Sequence, residues 1–109
     1  MSRELMKGSI DILLLSEIKS GDKYGYEIVQ SLKKKSSDTY QMSEGTLYPV
    51  LKRLERKGLL TSYWGHEPSM SGRRKYYQIT ESGMKKLDQH LAEWNKINKL
   101  MQLCMGGAV

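Results

Sequence analysis

The tightest constraint on this chain is a spacing near its C-terminus. Met84, Leu87, Leu91, Trp94, Asn98, Met101 and Met105 follow one another at alternating steps of three and four residues. Three heptads of that kind place one stripe of side chains along a helix and form an a/d seam that packs against another helix. Ile97, Leu100 and Cys104 broaden the stripe. A helix over residues 81–105 runs to roughly 37 Å at 1.5 Å per residue, whereas a compact domain of about this size has a radius of gyration near 13 Å. The helix must overhang its own domain. A projecting apolar stripe is costly in water, so pairing with a second copy is the economical reading, with Met84, Leu87, Leu91, Trp94, Ile97, Asn98, Met101 and Met105 as the dimerisation seam. A helix packed wholly on its own chain is the other reading. Asn98 suits a polar a position that fixes helix register.

The remaining length bounds what the helix is attached to. The chain has 109 residues and a mass of 12.6 kDa, which fits one domain and leaves no room for a separate catalytic or sensor domain. Leu, Ile, Val and Phe make up only about a fifth of it, so the core is thin. Residues 5–18 hold Leu5, Met6, Ile10, Leu13, Leu14 and Ile18 near helical spacing, which predicts a first helix. Ser20–Asp22 breaks the chain, and Ile28, Val29 and Leu32 mark a second helix ending in Lys33, Lys34 and Lys35. Those lysines complement the negative end of the helix dipole, with a nucleic-acid role as the alternative.

Ser36–Asp38 is a polar break, after which Thr39–Met42 is expected to run extended. Ser43 has the character of an N-cap, and Leu47, Val50, Leu51 and Leu54 give a third helix its buried stripe, stopped by Gly58. Pro49 lies deeper than the first-turn position that proline prefers, so the helix should bend there or begin later than Ser43. Beyond Gly58 the period changes to alternation. Two strands are expected, one from Leu60 and one over Arg73–Thr80, joined by a long loop from His66 to Gly72. Thr80 then caps the long C-terminal helix, and residues 106–109 form a tail.

The fold class is therefore mainly α with a small β-hairpin: residues 1–80 form a winged helix-turn-helix domain and residues 81–105 a dimerisation helix. In such a fold the third helix enters the DNA major groove and the hairpin touches the flanking backbone. Charge agrees with that. The net charge is +6, and residues 1–80 carry 14 basic and nine acidic side chains, against four and three in residues 81–109. The excess favours a polyanionic partner, with double-stranded DNA first. Ser43, Gly45 and Thr46 are small enough to let the backbone approach DNA and are also an ordinary helix start. Tyr24 and Tyr48 suit phosphate contacts or edge packing, while Lys52, Arg53, Arg73, Arg74 and Lys75 bring one sign from separate elements.

Other chemistries lack their residues. Cys104 is the one cysteine, and His66 and His90 do not combine with it at zinc-ligand spacing, so neither a disulfide nor a metal is expected. No paired carboxylates, phosphate-cradling glycine loop or activated nucleophile stands out, so no enzyme and no cofactor are expected. No apolar run exceeds four residues, and a cytoplasmic protein without membrane contact is expected. A winged-helix module that binds another protein is the competing function.

The stretches GDKYGYEIVQSL (21–32), EGTLYPVLKRLERKGLL (44–60) and GRRKYYQITESG (72–83) resemble the PadR family of bacterial transcriptional regulators, in its short, single-domain branch. The likeness runs from about Leu5 to Leu100. It implies a dimeric repressor on a pseudo-palindromic operator, with Tyr24, Ser43, Gly45, Thr46, Tyr48, Lys52 and Arg73–Lys75 as DNA contacts, and it accounts for Pro49, a residue frequent there in the family. Members resembling multidrug sensors hold a tryptophan from each dimer helix across a pore between subunits. Trp94 matches that position, which implies an aromatic or phenolic effector bound near Trp94, Met6 and Asn98, with Met84, Met101 and Met105 adding adaptable wall. Where drug-sensing relatives carry an acid, Asn98 is neutral, which counts against cationic ligands. A tryptophan at a d position is equally ordinary core material.

Overall fold

The computed structural model describes residues 9–66 and 72–106. The expected start of the first helix at Leu5, the candidate Met6, the loop around Pro68 and the last three residues lie outside that range. Seven elements follow in order: α1 (Ile10–Lys19), β1 (Lys23–Tyr24), α2 (Gly25–Lys35), α3 (Glu44–Arg56), β2 (Leu60–Trp64), β3 (Lys75–Ile79) and α4 (Glu81–Cys104). The result is a winged helix with a long C-terminal helix, 56 Å in its greatest extent and with a radius of gyration of 16.0 Å.

The core is the apolar stripes of these helices brought face to face. Leu14, Leu15 and Ile18 of α1 meet Ile28 and Leu32 of α2 and Leu47, Leu51 and Leu54 of α3, with Leu60, Tyr77 and Leu87 closing the far side. One charge is buried among them. Glu17 is 4% exposed, and its carboxylate accepts hydrogen bonds from Ser31 Oγ at 2.8 and 2.9 Å and from Lys35 Nζ at 2.9 Å. A buried carboxylate is tolerable only with its lone pairs satisfied, and this one ties α1 to the end of α2. Lys35 thus has a structural partner on the protein.

Helix ends follow local rules. Ser43 Oγ accepts from Thr46 N at 3.2 Å, capping α3. At the other end Gly58, at φ +75°, donates to Glu55 O at 3.0 Å while Leu59 N donates to Leu54 O at 2.9 Å, the paired bonds of a Schellman motif. Thr80 Oγ1 accepts from Gly83 N at 3.0 Å and donates to Gly58 O at 2.7 Å, so α4 starts against the turn that ends α3.

The structure refines four expectations. The sheet has three strands in the order β1-β3-β2, all antiparallel, because Lys23 and Tyr24 pair with Tyr77 and Tyr76. Thr39–Met42 forms no strand; Met42 drops into the core instead. The second hairpin strand begins at Lys75, after Gly65 N has bonded Arg74 O at 2.8 Å. Finally, α3 begins at Glu44 and continues through Pro49. Proline leaves the Gly45 carbonyl without its helical donor, but both residues are exposed, so the carbonyl is open to solvent.

The seam of α4 divides in two. Leu87 is 1% exposed and sits in the chain's own core, so it does not belong to a free face, contrary to expectation; Met84 beside it is half-buried. Those first turns pack on α1. From Leu91 onward the helix leaves the domain: Trp94 is 58% exposed, and Ile97, Leu100, Met101, Leu103 and Met105 are exposed with it, while Asn98 is half-buried. Among the described residues no helix is long and apolar enough to cross a membrane.

Candidate nucleic-acid interface

Helical geometry sorts the side chains of α3. Leu47, Val50, Leu51 and Leu54 face the core, which leaves Tyr48, Lys52 and Glu55, at i, i+4 and i+7, on a face that looks toward the sheet. Across from them stands the wing, with Arg73, Arg74 and Lys75 where the loop enters β3. Between helix and wing lies an open groove of about 820 Å³. It also takes in Tyr24, Gly25 and Tyr26 from the start of α2, Trp64 from the end of β2, and Tyr77. Six of the ten residues proposed from sequence for DNA contact therefore share one concavity: Tyr24, Tyr48, Lys52, Arg73, Arg74 and Lys75.

A series of aromatic contacts runs from the wing strands to the start of α2. Tyr63 and Tyr76 stack across β2 and β3 at 5.7 Å, Tyr76 meets Tyr24 edge to face at 5.5 Å, and Tyr24 stacks on Tyr26 at 6.4 Å. The Arg74 guanidinium caps this series, 4.6 Å from the centre of the Tyr24 ring. Tyr24 N in turn donates to Glu27 Oε1 at 3.2 Å, which fixes the first turn of α2. At the outer edge Tyr63 Oη donates to Asp22 Oδ2 at 2.5 Å, and that bond, ahead of desolvation, pushes its pKa up to about 12. The Tyr77 phenol is also raised, first by burial and then by the nearby Glu55 charge.

Close approach of α2 to α3 depends on Gly25. A Cβ there would lie 2.5 Å from Tyr48 Oη, so glycine lets the phenol rest on the helix start. Ser43 and Gly45 are exposed at the tip of α3, and Thr46 is half-buried, with Ser43 Oγ 3.2 Å from Thr46 Oγ1. They stand at the N-terminal tip of α3 rather than in the groove.

Arg53 is corrected. It follows Lys52 in sequence, but one residue turns a helix by about 100°. That carries its guanidinium to α1, where it pairs with Asp11. Five groove residues escaped the sequence reading: Gly25, Tyr26, Trp64, Tyr77 and Glu55. Glu55 was findable, since it continues the Tyr48–Lys52 face at helical spacing; a search for basic side chains passes over it. Among the described residues no cluster of His, Cys, Asp and Glu is arranged to hold a metal.

Known proteins share this arrangement over nearly the whole chain. The solved structure of a transcriptional regulator from Clostridium thermocellum superposes with a TM-score of 0.81 at 36% identity, covering 91% of this chain and 95% of that one. A PadR family transcription regulator from Clostridium difficile gives a TM-score of 0.75 at 40% identity, covering 89% and 98%. A transcriptional regulator of Mycobacterium tuberculosis is 30% identical over 106 residues, 96% of this chain and 91% of its own length. The model of the PadR-like family of transcriptional regulators matches residues 14–89, which contain α2, α3, the wing and the basic groove between them. By both sequence and fold, the chain belongs to the PadR-like family of transcriptional regulators.

Proposed function

We propose that the chain is a homodimeric, DNA-binding repressor acting in the cytoplasm, in which residues 1–80 read an operator and residues 81–105 join two copies. The observation that carries this reading is the convergence of Lys52 from the third helix with Arg73, Arg74 and Lys75 from the wing on a single groove. Phosphate neutralisation by such residues releases counterions and supplies affinity. In this reading Ser43, Gly45 and Thr46 at the exposed tip of α3 approach base edges, while Tyr24 and Tyr48 support phosphate contacts.

The exposed face of α4 supports dimerisation. Leu91, Trp94, Ile97, Met101 and Met105 project from the domain with Asn98 among them, and a second copy of the same face covers them. Two reading heads then address half-sites about one DNA turn, roughly 34 Å, apart. An aromatic or phenolic effector between the helices, stacked on Trp94 near Asn98 and Met101, relieves repression by favouring the other spacing.

The test is a mobility-shift titration on duplex from upstream of the chain's own gene, run beside sedimentation at micromolar concentration. Sequence-specific retardation by a dimer is expected. Failure to discriminate any such duplex from random sequence at moderate salt overturns the reading in favour of a protein-binding module. A folded chain that sediments as a monomer removes the half-site geometry and the effector site together.

A further inference from the structure

The groove carries one group that a surface built merely to attract phosphate would omit. Glu55 is the single acidic side chain among the described residues that line it. From α3 its Oε2 accepts a hydrogen bond from Ser62 Oγ of β2 at 2.6 Å, and its Oε1 lies 3.9 Å from Lys75 Nζ of β3. The carboxylate thus stands where recognition helix and both wing strands meet. Neither partner of the ion pair is sealed off: the side chains of Lys75 and Glu55 are 41% and 35% exposed. An exposed pair of this kind is weak, so a duplex phosphate competes for the same ammonium.

We propose that Glu55 is a specificity-determining residue of the groove: it competes with phosphate for Lys75 and repels duplex backbone that no other contact holds. The inference rests on the DNA-binding reading above. Affinity for random duplex comes almost wholly from counterions released by lysines and arginines that neutralise phosphates. A lysine already matched by a carboxylate adds little to that term. Contacts from the tip of α3 to base edges lie away from Glu55 and keep their strength, so the carboxylate lowers non-specific binding more than specific binding.

Glutamine separates this role from that of a strut, since its carbonyl still accepts from Ser62 while its charge is gone. Wild type, Glu55→Gln, Lys75→Met and the double variant are compared by fluorescence anisotropy on a random duplex and on the upstream duplex, across a salt series. The Glu55→Gln chain is expected to bind random duplex severalfold tighter at low salt. Its log affinity against log salt should steepen by about 0.9, the value for one more neutralised phosphate. Its discrimination between the two duplexes should fall, and the steepening should vanish when Lys75→Met is added. An unchanged slope in Glu55→Gln, or a steeper one that survives Lys75→Met, overturns the proposal and leaves the DNA-binding reading intact. A wild-type chain that binds no duplex at any salt overturns both.

Discussion

The Arg74 guanidinium lies over the face of the Tyr24 ring, 4.6 Å from its centre, so the wing and the first residue before α2 are coupled by a cation–π contact. Such contacts contribute about 0.5–1 kcal/mol at exposed sites. Tyr24→Leu should therefore weaken duplex binding about two- to fivefold by loosening the wing. Arg74→Glu should weaken it further and flatten the plot of log affinity against log salt. An unchanged slope in the second variant would take Arg74 out of the interface.

Two glycines offer a contrast between stability and site geometry. A Cβ on Gly83 would run into the Leu59 carbonyl oxygen, which is backbone and cannot yield. Gly83→Ala should cost about 1–3 kcal/mol, read as a lowered Tm. In Gly25→Ala the obstacle is the far end of Tyr48, which can swing aside. That variant should keep most of its Tm and lose duplex affinity. Equal thermal losses in both would show that Tyr48 is as fixed as the backbone.

The division of α4 at Leu87 predicts two different phenotypes on one helix. Leu87→Ala empties a site in the chain's own core and should cost about 2–5 kcal/mol in denaturant unfolding. Ile97→Lys lies on the overhang and should leave helical circular dichroism intact while shifting sedimentation to the monomer. A dimer that tolerates the charge at 97 would place the contact elsewhere.

Tyr63 gives a signature at alkaline pH. Its pKa is raised to about 12, above the ordinary 10.0 of an unfolded tyrosine, chiefly by donating to Asp22. A raised folded pKa means that the bond's contribution is complete below pH 10 and is lost as pH climbs through 12. Phenolate absorbance should show one tyrosine titrating in that late window, and Asp22→Asn should bring it earlier. A late tyrosine unmoved by Asp22→Asn would assign the shift to another cause.

Local signals in the sequence were read well because their causes are local. Ser43, Gly58 and Thr80 mark helix ends through bonds to residues within a few positions, and each acts there. The failures share the opposite property. β1 is two residues long, too short to show alternation, and exists because Tyr76 and Tyr77 offer it an edge. The seam from Met84 to Met105 has one period throughout, yet Leu87 meets its own domain and Ile97 does not, since spacing names a face and not what covers it. Lys52 and Arg53 count alike as charge; only rotation about the helix sends one to the groove and the other to Asp11.

The fastening of α4 limits how any signal can travel. Thr80 holds its first turn to Gly58, Gly83 seats it on Leu59, and Leu87 locks the next turn into the interior. These contacts join stalk to head at three successive points, so each protomer of the proposed dimer would swing as a stiff lever about the crossing of the two stalks. Over its 56 Å length, one degree of tilt carries the far end through about 1 Å. In the proposed dimer, an effector wedged at the crossing would need to shift its surroundings only slightly to throw both hands off their grip.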